Sequence, residues 1–213
     1  VAKLPAVLKM FSQLDGREVS AIENVSRELR KAGLLTQGKR GVGAPDMQVS
    51  DFTNLLFSYA SRRSNETAKC VERLRYGLLM SDEAAVSSFE FADRARKQDE
   101  DGLLRAGPFI DSMLEAMVDG GENAFLERRR DFHADDSDRV QHFLVDIEVH
   151  DAVSGLGAVV IHISDESDEY GDKILFSYHE NDNPSLVIQN AAIINGEIVW
   201  SIADFIKGGD NEK

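Results

Sequence analysis

SRELRKAGLLTQGKRGVGAP, residues 26–45, sets five cations (Arg27, Arg30, Lys31, Lys39, Arg40) against one carboxylate, Glu28, and holds four glycines. The chain around it is acidic, with 213 residues and a net charge of −14. Cations and flexible backbone concentrated in one stretch of an acidic protein mark a place where a polyanion is met. The asymmetry extends along the chain. Residues 1–75 contain 13 Lys/Arg and 8 Asp/Glu, net +5, and the remainder contains 11 Lys/Arg and 30 Asp/Glu, net −19. The second part repels nucleic acid and calls for a different kind of partner.

Upstream of this stretch, Leu4, Val7, Leu8, Phe11 and Leu14 recur at helical spacing and predict a helix ending near Leu14, followed by a turn at Asp15-Gly16. A second helix is expected from about Glu18 to Ala32, with Ile22, Val25, Leu29 and Ala32 as its apolar stripe and Gly33 as its stop. At about 100° per residue, Ser20, Asn24, Arg27 and Lys31 fall within about 60° of one another on the face opposite that stripe. Hydroxyl, amide, guanidinium and ammonium groups in a row are suited to base edges and phosphates in a major groove. Arg30 and Lys31 also sit where cations offset the dipole of the helix C-terminus, a purely structural use. That use does not account for Lys39 and Arg40, nor for the aligned row.

Leu34-Leu35-Thr36 is expected to form a short strand leading into a β-hairpin whose glycine-flanked tip projects Lys39 and Arg40. Pro45-Asp46 closes the unit, and VSDFTNLLFSYASRR predicts a third helix with Phe52, Leu55, Leu56 and Tyr59 facing the core. Helix, turn, helix, basic hairpin, helix resembles a winged helix-turn-helix DNA-binding domain. The turn at Gly16, the segment VSRELRKAGLL and the hairpin TQGKRGVGAP carry the resemblance, which covers about a third of the chain. The segment AGLLTQGKRGVGAPDM also resembles short segments of phage and prophage proteins. The winged-domain resemblance implies double-stranded DNA as partner, a recognition helix over Ser20–Lys31 and a wing carrying Lys39 and Arg40. One departure stands out. Many winged domains have another helix ahead of these two; with Val1 at the start, its place is lost, absent or taken by Val49–Arg62.

Residues 65–100 read as helical, with Ala68, Val71, Leu74, Leu78 and Leu79 at core spacing. Pro108 opens a helix carrying Phe109, Met113, Leu114 and Met117, broken at Gly120-Gly121, and a short helix through Phe125-Leu126 is expected to follow. After residue 140 the period changes. FLVDIEV, GAVVIHI, KILFSYH, SLVIQNAAII and EIVWSIADF are β-rich runs with no long helical pattern between them, which predicts a mostly antiparallel sheet. Asn195-Gly196 has the composition of a two-residue hairpin tip. The expectation is an α+β protein in two domains. Residues 1–63 form the winged helix-turn-helix. Residues 64–213 form an acidic domain with helices over 65–130 and an antiparallel sheet over 140–207.

Catalytic and metal chemistry find little purchase. GKRGVG lacks the Gly-Lys-Ser/Thr ending of a phosphate loop. His133, Asp135, Asp136 and Asp138 lack EF-hand spacing and read as a polar linker, and the acidic run over residues 165–172 reads as a hairpin cap. His150 and His162, on expected strands, are placed to face each other as cross-strand or surface side chains, and His179 precedes a turn. No nucleophile motif or catalytic carboxylate pair stands out, so the chain reads as a non-enzyme without a cofactor. No apolar run approaches the roughly 18 residues that span a membrane. A single cysteine, Cys70, allows no intramolecular disulfide and fits a reducing cytoplasm, where Cys70 reads as a core or surface residue. The chain opens on Val1, which reads as a trimmed N-terminus, and no signal-peptide pattern follows.

These readings converge on a DNA-binding transcriptional regulator that contacts DNA through Ser20, Asn24, Arg27, Arg30, Lys31, Lys39 and Arg40. Its acidic C-terminal part is expected to form a homo-oligomer, sense a ligand or contact a protein partner. The alternative is a structural or assembly protein, such as a phage packaging adaptor, that binds DNA without regard to sequence. A protein-interaction module on the same fold is the third reading.

Overall fold

Apolar side chains at steps of three and four build the helical half. In this computed structural model, which describes residues 2–38, 45–61, 63–81, 86, 89–121, 143–152, 157–165, 172–178 and 188–208, helix α1 spans Leu4–Asp15 and buries Val7, Leu8, Met10 and Phe11. It stops at Gly16, whose φ of 71° only glycine adopts readily and whose N–H donates to Ser12 O. Helix α2, Val19–Lys31, buries Ile22, Ser26 and Leu29. Gly33, at φ 77°, ends it, with Leu34 N donating to Leu29 O at 2.9 Å. Ala32, expected on the apolar stripe, lies past the helix and is exposed.

The corner between α1 and α2 is pinned from outside. Asp15 accepts from Arg17 N at 2.8 Å, from Arg17 Nε at 2.5 Å and from Tyr59 Oη at 2.6 Å. The Arg17 guanidinium lies 4.2 Å from the centre of the Tyr59 ring.

Helix α3, Val49–Phe57, is buried on every side, from Asp51 through Phe57. Such a helix needs cover from all directions. A single turn of 3₁₀ helix, Ser58–Ala60, follows it, then α4 (Thr67–Arg75), the two-residue strand β1 (Leu78–Leu79), α5 (Glu90–Lys97) and α6 (Ala106–Gly120). On α6 the expected core residues Phe109, Met113, Leu114 and Met117 are all buried. Cys70 is fully buried in α4.

Alternation then builds a sheet from β2 (Phe143–Ala152), β3 (Gly157–Asp165), β4 (Asp172–Tyr178) and β5 (Ile188–Ile194), in the order β1-β4-β3-β2-β5 with every pair antiparallel. Register places Ile194, Ile147, Ile161 and Ile174 in one buried row across four strands. The helices cover that face, with the Phe109 ring of α6 5.2 Å from the Phe176 ring of β4. The fold is therefore α+β, with helices in the N-terminal and central parts and an antiparallel sheet towards the C-terminus.

Three expectations are corrected. Residues 34–38 and 45–48 carry no strand. Thr36 is instead tied to the first turn of α3, its N–H and Oγ1 each donating to the Asp51 carboxylate at 2.7 Å. Asn195-Gly196 is not a hairpin, and EIVWSIADF is not a strand. Residues Gly196–Gly208 form a helix, α7. Asn195 Oδ1 accepts from Ile198 N at 3.1 Å as a helix N-cap, and Gly196 lacks the positive φ that a type I′ turn requires. Buried Val199, Ile202 and Ala203 follow helical spacing, so β-branched composition misled where periodicity was informative. Leu78 and Leu79 leave the expected helix to pair with Ser177 and Phe176. The expected helix through Phe125-Leu126, the acidic cluster with His133, and His179 lie outside the described residues.

One polar chain ties these parts together. Asn54 Nδ2 donates to Leu34 O at 2.5 Å, and Arg75 Nη1 donates to Asn54 Oδ1 at 2.9 Å. Arg75 Nη2 reaches Asp111 Oδ2 at 2.8 Å. The apolar core runs without a break from Ala2 to Ala203, and the Phe52 ring of α3 meets the Phe205 ring of α7 at 6.3 Å.

Gly107 on α6 makes room for the Arg75 side chain. A methyl group there would stand 3.0 Å from Arg75 Cζ and 3.1 Å from its Cβ and Cγ. Because Arg75 is fixed by Asn54 and Asp111, Gly107→Ala should cost about 1–2 kcal/mol despite alanine's helix propensity. In an Arg75→Gly background, which removes the Cβ as well as the rest of the side chain, the same change should stabilise by about 0.5 kcal/mol. Urea unfolding of the four proteins reads the sign reversal, and the same sign in both backgrounds refutes the packing account.

Burial, and then the hydrogen bond it donates to Asp15, push the Tyr59 phenol well above its ordinary value near 10; the Arg17 charge opposes the shift. The folded state favours protonated Tyr59. Its contribution to stability is therefore complete below about pH 10 and is lost as pH rises through the folded value. At about pH 10.5, phenolate absorbance of the folded protein should match that of folded Tyr59→Phe, and unfolding should reveal one extra tyrosinate. An extra phenolate already present before unfolding would mean that the corner is open to water.

Candidate nucleic-acid interface

With Ile22, Ser26 and Leu29 turned inward, α2 presents Ser20, Asn24, Arg27 and Lys31 on its exposed side. At 1.5 Å per residue the row is about 16 Å long, comparable to five stacked base pairs. The corner at Asp15, Arg17 and Tyr59 sets the angle at which α2 leaves α1. The Gln37 Nε2 bond to Arg30 O, 2.5 Å, holds the opposite end.

The groups of the row are partly engaged with one another. Arg27 Nη1 donates to Asn24 Oδ1 at 3.3 Å, which leaves the rest of the guanidinium fork and the Asn24 amide N–H₂ free to donate. Lys31 Nζ lies 2.7 Å from Glu28 Oε1, an exposed pair one helical turn apart. Such pairs contribute at most about 1 kcal/mol, so Lys31 can exchange Glu28 for another anion at little cost.

Arg30 does not join the row. It is half-buried and lines a groove of about 520 Å³ between α1 and α2, with Leu4, Pro5 and Leu8 on one side, Arg27 and Lys31 beside it, and Glu23 also on the α2 wall. The structure thus brings Ser20, Asn24, Arg27 and Lys31 together and turns Arg30 towards α1. Lys39 and Arg40 lie outside the described residues. The groove was not legible in the sequence, because no local period states how closely two helices approach.

A second polar cluster lies on the sheet face away from the helices. Glu148 on β2 stands between two histidines. His150 Nε2 is 3.2 Å from Glu148 Oε2, and His162 Nε2 is 3.1 Å from Glu148 Oε1. The expected facing of His150 and His162 is thus mediated by a carboxylate. The two-residue spacing of Glu148 and His150 is visible in the sequence, whereas the β2–β3 register that brings up His162 is not. Among the described residues no group of three or more His, Cys, Asp or Glu side chains is placed to hold a metal ion, and no helix is long and apolar enough to cross a membrane.

Comparison with known proteins finds no matching family model, no similar curated protein and no similar solved structure.

Proposed function

We propose that this chain binds double-stranded DNA through the outer face of α2 and acts as a cytoplasmic transcriptional regulator. The observation that carries the reading is the exposed row Ser20, Asn24, Arg27 and Lys31, set on a helix whose opposite face is buried. Arginine pairs with guanine and asparagine with adenine in the major groove, so Arg27 and Asn24 read bases. Lys31, with Lys39 and Arg40 in the glycine-rich stretch, contacts phosphates, which adds affinity without sequence information. The acidic remainder of the chain holds a second copy, a ligand or a protein partner. If it forms a symmetric dimer, the two α2 helices address half-sites one DNA turn apart. The alternative is a sequence-indifferent DNA-binding assembly protein, which differs in whether α2 discriminates between bases.

Arg27→Ala should weaken binding to a duplex selected from random DNA by about 1–3 kcal/mol and leave binding to a scrambled duplex nearly unchanged. The double variant Lys39→Ala, Arg40→Ala should weaken both duplexes and lower the salt slope by about two per protomer. Titrations of the full chain across a salt series measure both quantities. Equal losses on the two duplexes from Arg27→Ala would leave α2 as a backbone clamp and favour the assembly reading. No loss from either variant would remove the DNA reading.

A further inference from the structure

The groove between α1 and α2 has a composition that DNA alone does not use. Leu4, Pro5 and Leu8 supply an apolar floor, while Arg27, Arg30 and Lys31 outnumber the single lining carboxylate, Glu23, and make the α2 wall net positive. Phosphates have no use for an aliphatic floor. Arg30 is half-buried there and has no ion-pair partner among the described residues, which leaves a partly desolvated guanidinium facing the groove. The groove is about 520 Å³ and is lined by both helices and by Gln37. Its lining on α2 runs from Glu23 to Lys31, about two helical turns, which matches aliphatic side chains at positions i and i+3 or i+4 of a helix laid against it.

We propose that this groove docks an acidic amphipathic helix of a partner protein. Aliphatic side chains of that helix rest on Leu4, Pro5 and Leu8, and its flanking carboxylates pair with Arg27, Arg30 and Lys31. Charge complementarity selects this occupant over a neutral amphipathic helix, and the apolar floor selects it over a simple polyanion. Arg27 and Lys31 belong to both the groove and the exposed row, so the docked partner and DNA exclude each other. That exclusion rests on the DNA reading of α2; the docking itself does not.

The test uses the full chain and a labelled synthetic helical peptide carrying leucine at i, i+3 and i+4 with glutamate on both flanks. A twin peptide carries glutamine in place of glutamate. At low salt the acidic peptide should bind about tenfold tighter than its twin, and the gap should narrow as salt rises. Arg30→Gln should weaken the acidic peptide about tenfold. Leu4→Ser should weaken it severalfold while leaving duplex binding unchanged, with circular dichroism and thermal unfolding verifying that the variant is folded. Unlabelled duplex should displace the peptide. Absence of saturable peptide binding up to about 1 mM, or binding indifferent to both Leu4→Ser and Arg30→Gln, overturns the docking proposal and leaves the DNA reading standing. Peptide binding that depends on Leu4 and Arg30, in a chain that binds no duplex, supports the docking and overturns the DNA reading. Simultaneous binding of peptide and duplex overturns the exclusion.

Discussion

Arg75 holds the structure in register. Its guanidinium bridges Asn54 on α3 and Asp111 on α6, and Asn54 passes the connection to the backbone of Leu34 just after α2. A planar fork with fixed donors can do this; a lysine cannot meet two acceptors in one plane. The pair is partly desolvated, so attraction and desolvation largely offset, and its main consequence is geometric. It fixes where α3 lies relative to α4 and α6, and through Leu34 it fixes where the chain leaves α2. Removing one partner would leave a charge in a core that has nothing else to offer it.

Around that link, α3 is enclosed on all sides. Asp51 serves two neighbours from within it, capping the start of its own helix through Gln48 N and holding Thr36. This arrangement explains why the stretch after α2 is not a strand. Its backbone groups find side-chain partners on α3, so they need no ladder. The exposed row on α2 is thus presented by a helix anchored at both ends, at the Tyr59 corner and at the Asn54 and Asp51 contacts. The proposed reading of a duplex would need such anchoring, since side chains on a loosely held helix cannot keep register with base edges.

Helical periodicity made α1, α2, α3 and the core face of α6 legible, because their buried residues repeat locally, and α1, α2 and α6 each carry a stop signal in Gly16, Gly33 and Gly121. The row from Ser20 to Lys31 followed from the same period. Asn195-Gly196 misled because asparagine suits both a type I′ turn and a helix N-cap, and the choice is made by Asp146 on β2, which accepts from Gly196 N at 2.7 Å. Strand β1 had no local signature. Leu78 and Leu79 are strand only because β4, nearly a hundred residues later, offers them hydrogen bonds.

The sequence by itself determined the charge asymmetry, the helical periods of the N-terminal and central parts, the alternation that makes an antiparallel sheet, and which side of α2 faces out, since each depends on residues within a few positions of one another. Tertiary structure alone decided the strand order, the His150–Glu148–His162 cluster, the partners of the half-buried Arg75 and the turning of Arg30 into a groove. Each of these requires two segments far apart in the chain to meet at a particular distance and angle. That approach is set by packing and by paired buried polar groups, for which no local pattern of residues is a substitute.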